Sequence, residues 1–197
     1  GASSPTMNTM ALISSEWPQP IQSASGIDIE YSVKHPTTFI LCDPYSYDWY
    51  YSGSTATTDN TRWSRQKTIY DPCPTGYRVA VTDVFRGFTK EGYDVDRGDD
   101  INYAGSFDKG FEFYYDGSNT AWYPVTTYHY YNNWNNNYSE NSSYIWSADQ
   151  NAFYYYYNDE YECSVRVSSY ESKGHAFPVR CMKDDATASI MVKIDKT

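Results

Sequence analysis

The sequence predicts an α+β domain built mainly of short strands and long irregular loops, with few and short helices. Three observations carry this. Tyrosine and other β-formers dominate, while Ala, Leu, Glu and Lys are too sparse for a helical bundle. Hydrophobic residues make up 40% of the chain, but many are tyrosines, so the aliphatic core must be lean. Runs that read as strands are separated by clusters of Gly, Asn, Asp and Ser. At 197 residues the chain suffices for one good-sized domain with a short appendage.

Residues 1–26 mix Ser, Pro, Met and Gln without lasting periodicity, and Trp17-Pro18-Gln19-Pro20 excludes a helix there. This stretch is read as a linker or the tail of a preceding segment, and 27–197 as the domain. The opening Gly1-Ala2-Ser3-Ser4-Pro5 carries no signal peptide and reads as a processed or cloned start. Ile27 to Val33 alternates apolar and polar residues, the pattern of a half-buried strand. Ala188 to Ile194 is similar, and the two ends are expected to pair in one sheet.

One short helix is predicted, with Thr82 as cap of Asp83–Phe88 and Val84, Phe85 and Phe88 facing a core. Strands are expected at Tyr77-Arg78-Val79, Phe111–Tyr115, Tyr144–Ser147, Phe153–Tyr157 and Phe177–Cys181. Tyr77, Tyr103, Tyr114, Tyr115 and Trp122 are assigned to core or sheet.

Residues 128–170 hold 11 of the chain's 23 tyrosines and 8 asparagines, with Trp134, Trp146 and one Lys or Arg, Arg166. A tyrosine ring offers an apolar face and a hydroxyl tip on only two rotatable torsions, and Asn adds donors and acceptors. The mixture resembles an antibody paratope and points to recognition rather than catalysis. Candidate ligand-binding residues are Tyr128, Tyr130, Tyr131, Asn132, Trp134, Asn136 and Tyr138. Tyr154 and Tyr156 join them on one face of their strand, with Tyr155 and Tyr157 on the other.

The net charge of −10 repels phosphate backbones, and the aromatic stretch lacks the cations that follow a nucleic-acid strand. Nucleic acid and anionic membranes are therefore unexpected partners, and no apolar run approaches the ~18 residues of a spanning helix. Cys42, Cys73, Cys163 and Cys181 lack CxxC or Cys/His metal spacing. An even count in this composition favours two disulfides in an exported protein, with three possible connectivities, over four thiols in the cytosol.

Asp94, Asp96, Asp99 and Asp100 offer oxygens for calcium, but Gly98 and Gly105 stand where an EF-hand loop needs ligands, so a solvated acidic turn is preferred. No cofactor is expected. His35, His129 and His175 are isolated from any HxxxH or nucleophile-elbow context, and no enzyme is expected.

Lys67-Thr68-Ile69-Tyr70-Asp71-Pro72-Cys73-Pro74-Thr75-Gly76-Tyr77-Arg78-Val79 is distinctive. So is Gly174-His175-Ala176-Phe177-Pro178-Val179-Arg180-Cys181-Met182-Lys183-Asp184. With Ile145-Trp146-Ser147, Asn151-Ala152-Phe153 and the upstream Lys34–Phe39 and Asp48-Trp49, they resemble the Fibrobacter succinogenes major paralogous domain over residues 30–185. Such domains lie at the C-termini of many Bacteroidetes surface and fimbrillin-type proteins. The resemblance implies a C-type lectin-like fold: small twisted antiparallel sheets, chain ends together, and a long irregular upper lobe. It implies a Cys73–Cys181 bridge and leaves Cys42 with Cys163. The former would close a loop of about a hundred residues, worth on the order of 4–5 kcal/mol in the chain-entropy picture. Ala80 and Ala148 depart from the family's proline and second serine. Arg78 and Arg180 are expected to be structural. The Glu-Pro-Asn and Trp-Asn-Asp motifs of calcium-dependent lectins are missing from the sequence.

The leading functional expectation is an extracellular, cell-surface or pilus-associated adhesion module that binds a glycan or protein of a host or neighbouring cell. One alternative is a variable protein-binding receptor diversified within Asn151–Gly174. Another is a structural cap or subunit-interface domain whose partners are other pilus subunits.

Overall fold

The computed structural model describes residues 21–22, 29–35, 38–41, 63–106, 109–126, 128–130, 133–137, 141–158 and 163–184. Its elements begin with β1 (Ile21–Gln22), α1 (Ile29–Lys34), β2 (Ile40–Leu41), β3 (Tyr77–Val79), α2 (Thr82–Arg86) and a 3-10 turn (Gly98–Asp100). There follow β4 (Tyr103–Ser106), β5 (Gly110–Tyr114), β6 (Thr120–Pro124), β7 (Tyr128–Tyr130) and β8 (Asn133–Asn137). The described chain closes with β9 (Ser142–Trp146), β10 (Ala152–Tyr157), β11 (Cys163–Ser169) and β12 (Cys181–Lys183). Two antiparallel three-stranded sheets, β11-β10-β9 and β4-β5-β6, form the body. The pairs β3–β12 and β7–β8 are antiparallel and β1–β2 is parallel. The sheet-rich α+β architecture expected from composition is present.

Side-chain alternation decides what the first sheet buries. Ile145, Phe153, Tyr155, Cys163, Val165 and Val167 point inward, against Phe111 and Phe113 of β5, Tyr123 of β6, and Phe85 and Phe88 of the α2 segment. Rings fill the space that aliphatic residues cannot. Phe85 stacks on Phe153 at 4.6 Å and Phe88 on Phe113 at 4.5 Å, while Phe113 meets Tyr123 edge-on at 5.4 Å. Such pairs contribute roughly 0.5–1.5 kcal/mol each beyond their burial. Tyr155 is fully buried and donates its hydroxyl to the Pro124 carbonyl at 2.5 Å, so its polar tip is satisfied. The expected two-faced β10 is present, with Tyr155 inside and Tyr154 and Tyr156 half-buried on the other face.

Several expectations are corrected. Ile29–Lys34 is a helix rather than part of a strand. Among the described residues no strand pairs with this stretch, and local contacts hold it. Ser32 Oγ donates to the Ile29 carbonyl at 2.8 Å, Glu30 pairs with Lys34, and the Tyr31 and His35 rings stack at 4.1 Å. Residues 188–194, and the pairing of chain ends expected of them, lie outside the described residues. The helix near Thr82 exists, but Val81 occupies the cap position without a side-chain bond. Thr82 is instead buried, its hydroxyl 3.0 Å from Ser147 Oγ, and its N–H donates to Asp149 Oδ2 at 2.8 Å. Val84 is 39% exposed, because a helix this short turns only Phe85, with Phe88 beyond its end, into the core. Of the strand expected at Phe177–Cys181 only Cys181 enters β12; Ala176 and Val179 make isolated bridges to His129 and Trp146. Pro178 has no N–H to give a ladder.

Cys73 and Cys181 are disulfide-bonded, with Cα atoms 5.7 Å apart across 108 residues of sequence. The bridge stands beside the β3–β12 pair, and Asp71 organises its approach. That carboxylate accepts the Cys73 N–H at 2.8 Å, the Val79 N–H at 3.0 Å and Lys67 Nζ at 3.1 Å. Burial pushes the Asp71 carboxyl up, but the two backbone donors and Lys67 outweigh it and hold it below the usual carboxylate range. Cys163 is 1% exposed in the core. Cys42, and with it the second expected bridge, lies outside the described residues. Arg180 donates to the Trp122 carbonyl at 2.8 Å and lies over the Tyr123 ring, and Arg78 lies 3.7 Å from Asp184. Both arginines bind carbonyl, carboxylate or ring groups of the fold, as expected. Ala80 and Ala148 meet: the Ala148 N–H donates to the Ala80 carbonyl at 2.8 Å, and Ala80 N–H to Arg180.

Candidate ligand-binding surface

The outer face of β9 and β10 carries Tyr144, Trp146, Ala152, Tyr154 and Tyr156, set by the same alternation that turns Phe153 and Tyr155 inward. Part of this face is covered. Tyr128 from β7 and Phe177 pack with Trp146 and Ala152 in a second apolar cluster, and Trp146 Nε1 donates to the His175 carbonyl at 3.3 Å. Around that floor the rings are continuous. Tyr154 lies 4.6 Å from Tyr144, and Tyr144 stacks on Phe177 at 4.6 Å. Tyr128 meets Tyr144 edge-on at 5.0 Å and Tyr130 at 5.4 Å. Tyr130 meets His175 at 4.8 Å. Tyr130, Tyr144 and Tyr154 are half-buried, so their edges remain available while the lower parts of the rings are fixed by neighbours.

The phenols of this patch hold their protons tightly. Burial, then the hydrogen bond with Tyr128, pushes Tyr130 up to about 12, and burial likewise raises Tyr144 and Tyr154. At neutral pH they are neutral donors and acceptors. Two further groups stand at the margin. Glu171 accepts a hydrogen bond from Ser169 Oγ at 2.9 Å and lies 3.7 Å from His175 Nε2. Burial raises the Glu171 carboxyl above its ordinary range and pushes the His175 imidazole down to about 4. An apolar floor, neutral hydroxyls and one carboxylate suit binding of a polar ligand with an apolar face.

Of the residues singled out from sequence, the structure brings Tyr128, Tyr130 and Tyr154 into this one patch. Tyr128, 7% exposed, contributes to its floor rather than its surface. Tyr156 continues the outer face of β10, opposite Ser142 and Ser164. Trp134 and Asn136 lie in β8, the strand paired with β7. Tyr131, Asn132 and Tyr138 lie outside the described residues. Tyr144, Glu171, His175 and Phe177 were missed as site residues. Tyr144 joins through its cross-strand register with Tyr154, and the other three through the return of the chain after β11, neither of which sequence spacing reveals.

The acidic segment does not converge on a metal. Asp94 accepts the Val167 N–H at 2.8 Å and Asp96 pairs with Arg166, so both fasten the loop to β11, while Asp99 and Asp100 are exposed on the 3-10 turn. Among the described residues no three His, Cys, Asp or Glu side chains are grouped as a metal ion would need, and no helix is long and apolar enough to cross a membrane. No protein-family model, no curated protein and no solved structure matches the chain.

Proposed function

We propose that this chain is a C-type lectin-like adhesion module of the type found in the Fibrobacter succinogenes major paralogous domain, displayed at a cell surface. Its role on this reading is to bind carbohydrate without a metal ion or catalysis. The observation that carries the reading is the ring-lined patch of Tyr130, Tyr144 and Tyr154, gathered from three strands over a floor of Tyr128, Trp146 and Phe177. Sugars lay their C–H faces on such rings and give their hydroxyls to phenols and amides. The Cys73–Cys181 bridge supports the resemblance, since it is the pairing that the motif islands imply. Pilus attachment belongs to the same proposal.

A variable protein-binding receptor is the second reading, and the β10–β11 hairpin favours it. Phe153, Tyr155, Val165 and Val167 hold the core, while Tyr154, Tyr156, Ser164, Arg166 and Ser168 face away from it. Binding of the purified chain to a glycan array, with and without chelator, tests the first reading. A chelator-insensitive signal lost on Trp134→Ala and Tyr154→Ala supports it. Silence across the array, with sibling sequences differing at the outward hairpin positions, supports the second.

A further inference from the structure

Glu171 is an unusual companion for this aromatic patch. Its side chain is 18% exposed, and its two oxygens have different company: Oε1 accepts from Ser169 Oγ, and Oε2 faces the imidazole of His175. That imidazole is 6% exposed and, with its pKa pushed down by burial, neutral at physiological pH. It therefore cannot neutralise the carboxylate. Glu171 meets the ring series through His175, whose ring lies 4.8 Å from Tyr130 and 5.2 Å from Phe177, and Phe177 in turn stacks on Tyr144 at 4.6 Å. A half-buried negative charge thus stands at the margin of the ring series carried by β7 and β9, one imidazole away from Tyr130. Rings with a nearby carboxylate attract a positive charge twice over, through the quadrupole of the ring and through Coulomb attraction in a partly desolvated setting. A neutral sugar hydroxyl would leave the carboxylate charge unbalanced, whereas an ammonium group would neutralise it. The chain's net charge of −10 adds a long-range bias in the same direction.

We propose that the corner formed by Tyr130, Tyr144 and Glu171 is a subsite for the protonated amine of an amino sugar. The proposal rests on the carbohydrate reading above and narrows it to saccharides bearing a free amine. The amine sits against the Glu171 carboxylate, the ring hydroxyls of the sugar meet the phenols, and the pyranose face lies on Tyr144 or Tyr154. N-acetylation of the same sugar removes the charge and leaves one neutral amide N–H, a weaker partner for the carboxylate than an ammonium group.

The test is isothermal titration of the full chain with the β-1,4 dimer of glucosamine and with its N,N′-diacetyl form, at pH 7 and low salt. The free-amine dimer is expected to bind more tightly by about tenfold or more, as for a charge-assisted contact in a partly buried site. Glu171→Gln preserves shape and relieves a buried charge, so the variant should fold; it is expected to abolish the difference between the two sugars. Asp99→Asn, which removes one exposed charge elsewhere, is expected to leave the difference in place. Equal binding of both dimers, unaffected by Glu171→Gln, overturns the amine subsite while leaving the carbohydrate reading standing. Equal loss with Asp99→Asn and Glu171→Gln assigns the preference to the overall field and also overturns the subsite. Failure of either dimer, and of every array glycan, to bind sinks both proposals, and an amine preference transferred to a lysine-containing peptide alone does the same.

Discussion

Gly110 shows how closely the second sheet is packed. A Cβ built there would lie 2.5 Å from Trp122 Cζ2 and 2.7 Å from the Tyr123 carbonyl oxygen. The ring can shift a little, but the carbonyl belongs to the β5–β6 ladder and cannot. Gly110→Ala is expected to cost roughly 1–3 kcal/mol as an overpacking change, read as a lower urea midpoint at unchanged slope. An unaltered midpoint would contradict the close approach. His175 sets a pH dependence. Its imidazole titrates near 6.5 when unfolded and at about 4 when folded, so between these values the unfolded chain holds more protons. The stabilisation is complete above about 6.5 and is lost as pH falls toward 4. Glu171 acts in the opposite sense: its raised folded pKa makes its ionisation costly at neutral pH and relieves that cost on acidification. The thermal midpoint is expected to fall across the histidine window in the parent chain and to fall less in His175→Gln; the same slope in both would remove the imidazole as its source.

At the scale of elements, α2 depends on a residue from a distant turn. Asp149 accepts the Thr82 N–H and also holds Arg65, which reaches Asp83 on the helix itself. Asp149→Ala is expected to destabilise by about 1 kcal/mol, the ordinary cost of an N-terminal cap, and to speed amide exchange over 82–88 before other segments. Uniform exchange would mean that the cap is not local. Strands β3, β5, β9 and β10 were legible because their residues alternate or carry β-branched and aromatic side chains. The strand β11 also alternates, with Cys163, Val165 and Val167 inward, but its serines and Arg166 masked the signal. The strand β8, Asn133–Asn137, has little strand propensity and exists through its pairing with β7. The helix α1 was misread because period-two spacing also contains i,i+4 pairs, and the local pattern by itself does not separate the two readings. The patch was half legible for a related reason. Tyrosine composition marked 128–138 and 154–156, but Tyr144 and Glu171 join them through register and chain return, which no local pattern encodes.

The whole molecule is tied at its described C-terminal end to a point well inside its length. Reducing the Cys73–Cys181 bridge returns the entropy of a 108-residue loop to the unfolded chain, worth about 5 kcal/mol in the chain-entropy picture. The urea midpoint is expected to drop sharply in reductant and in Cys73→Ser/Cys181→Ser, while an unchanged midpoint would show that packing alone holds the fold. The bridge also fixes how the protein carries force. Tension entering before residue 73 and leaving after 181 crosses the covalent link and bypasses both three-stranded sheets, the aromatic core and the tyrosine patch. With 108 residues shielded, about 360–390 Å of contour length stays hidden when the oxidised chain is stretched. In single-molecule pulling that length should appear only after reduction. Under load applied outside the bridge, the tyrosine patch therefore stays folded for as long as the disulfide is oxidised.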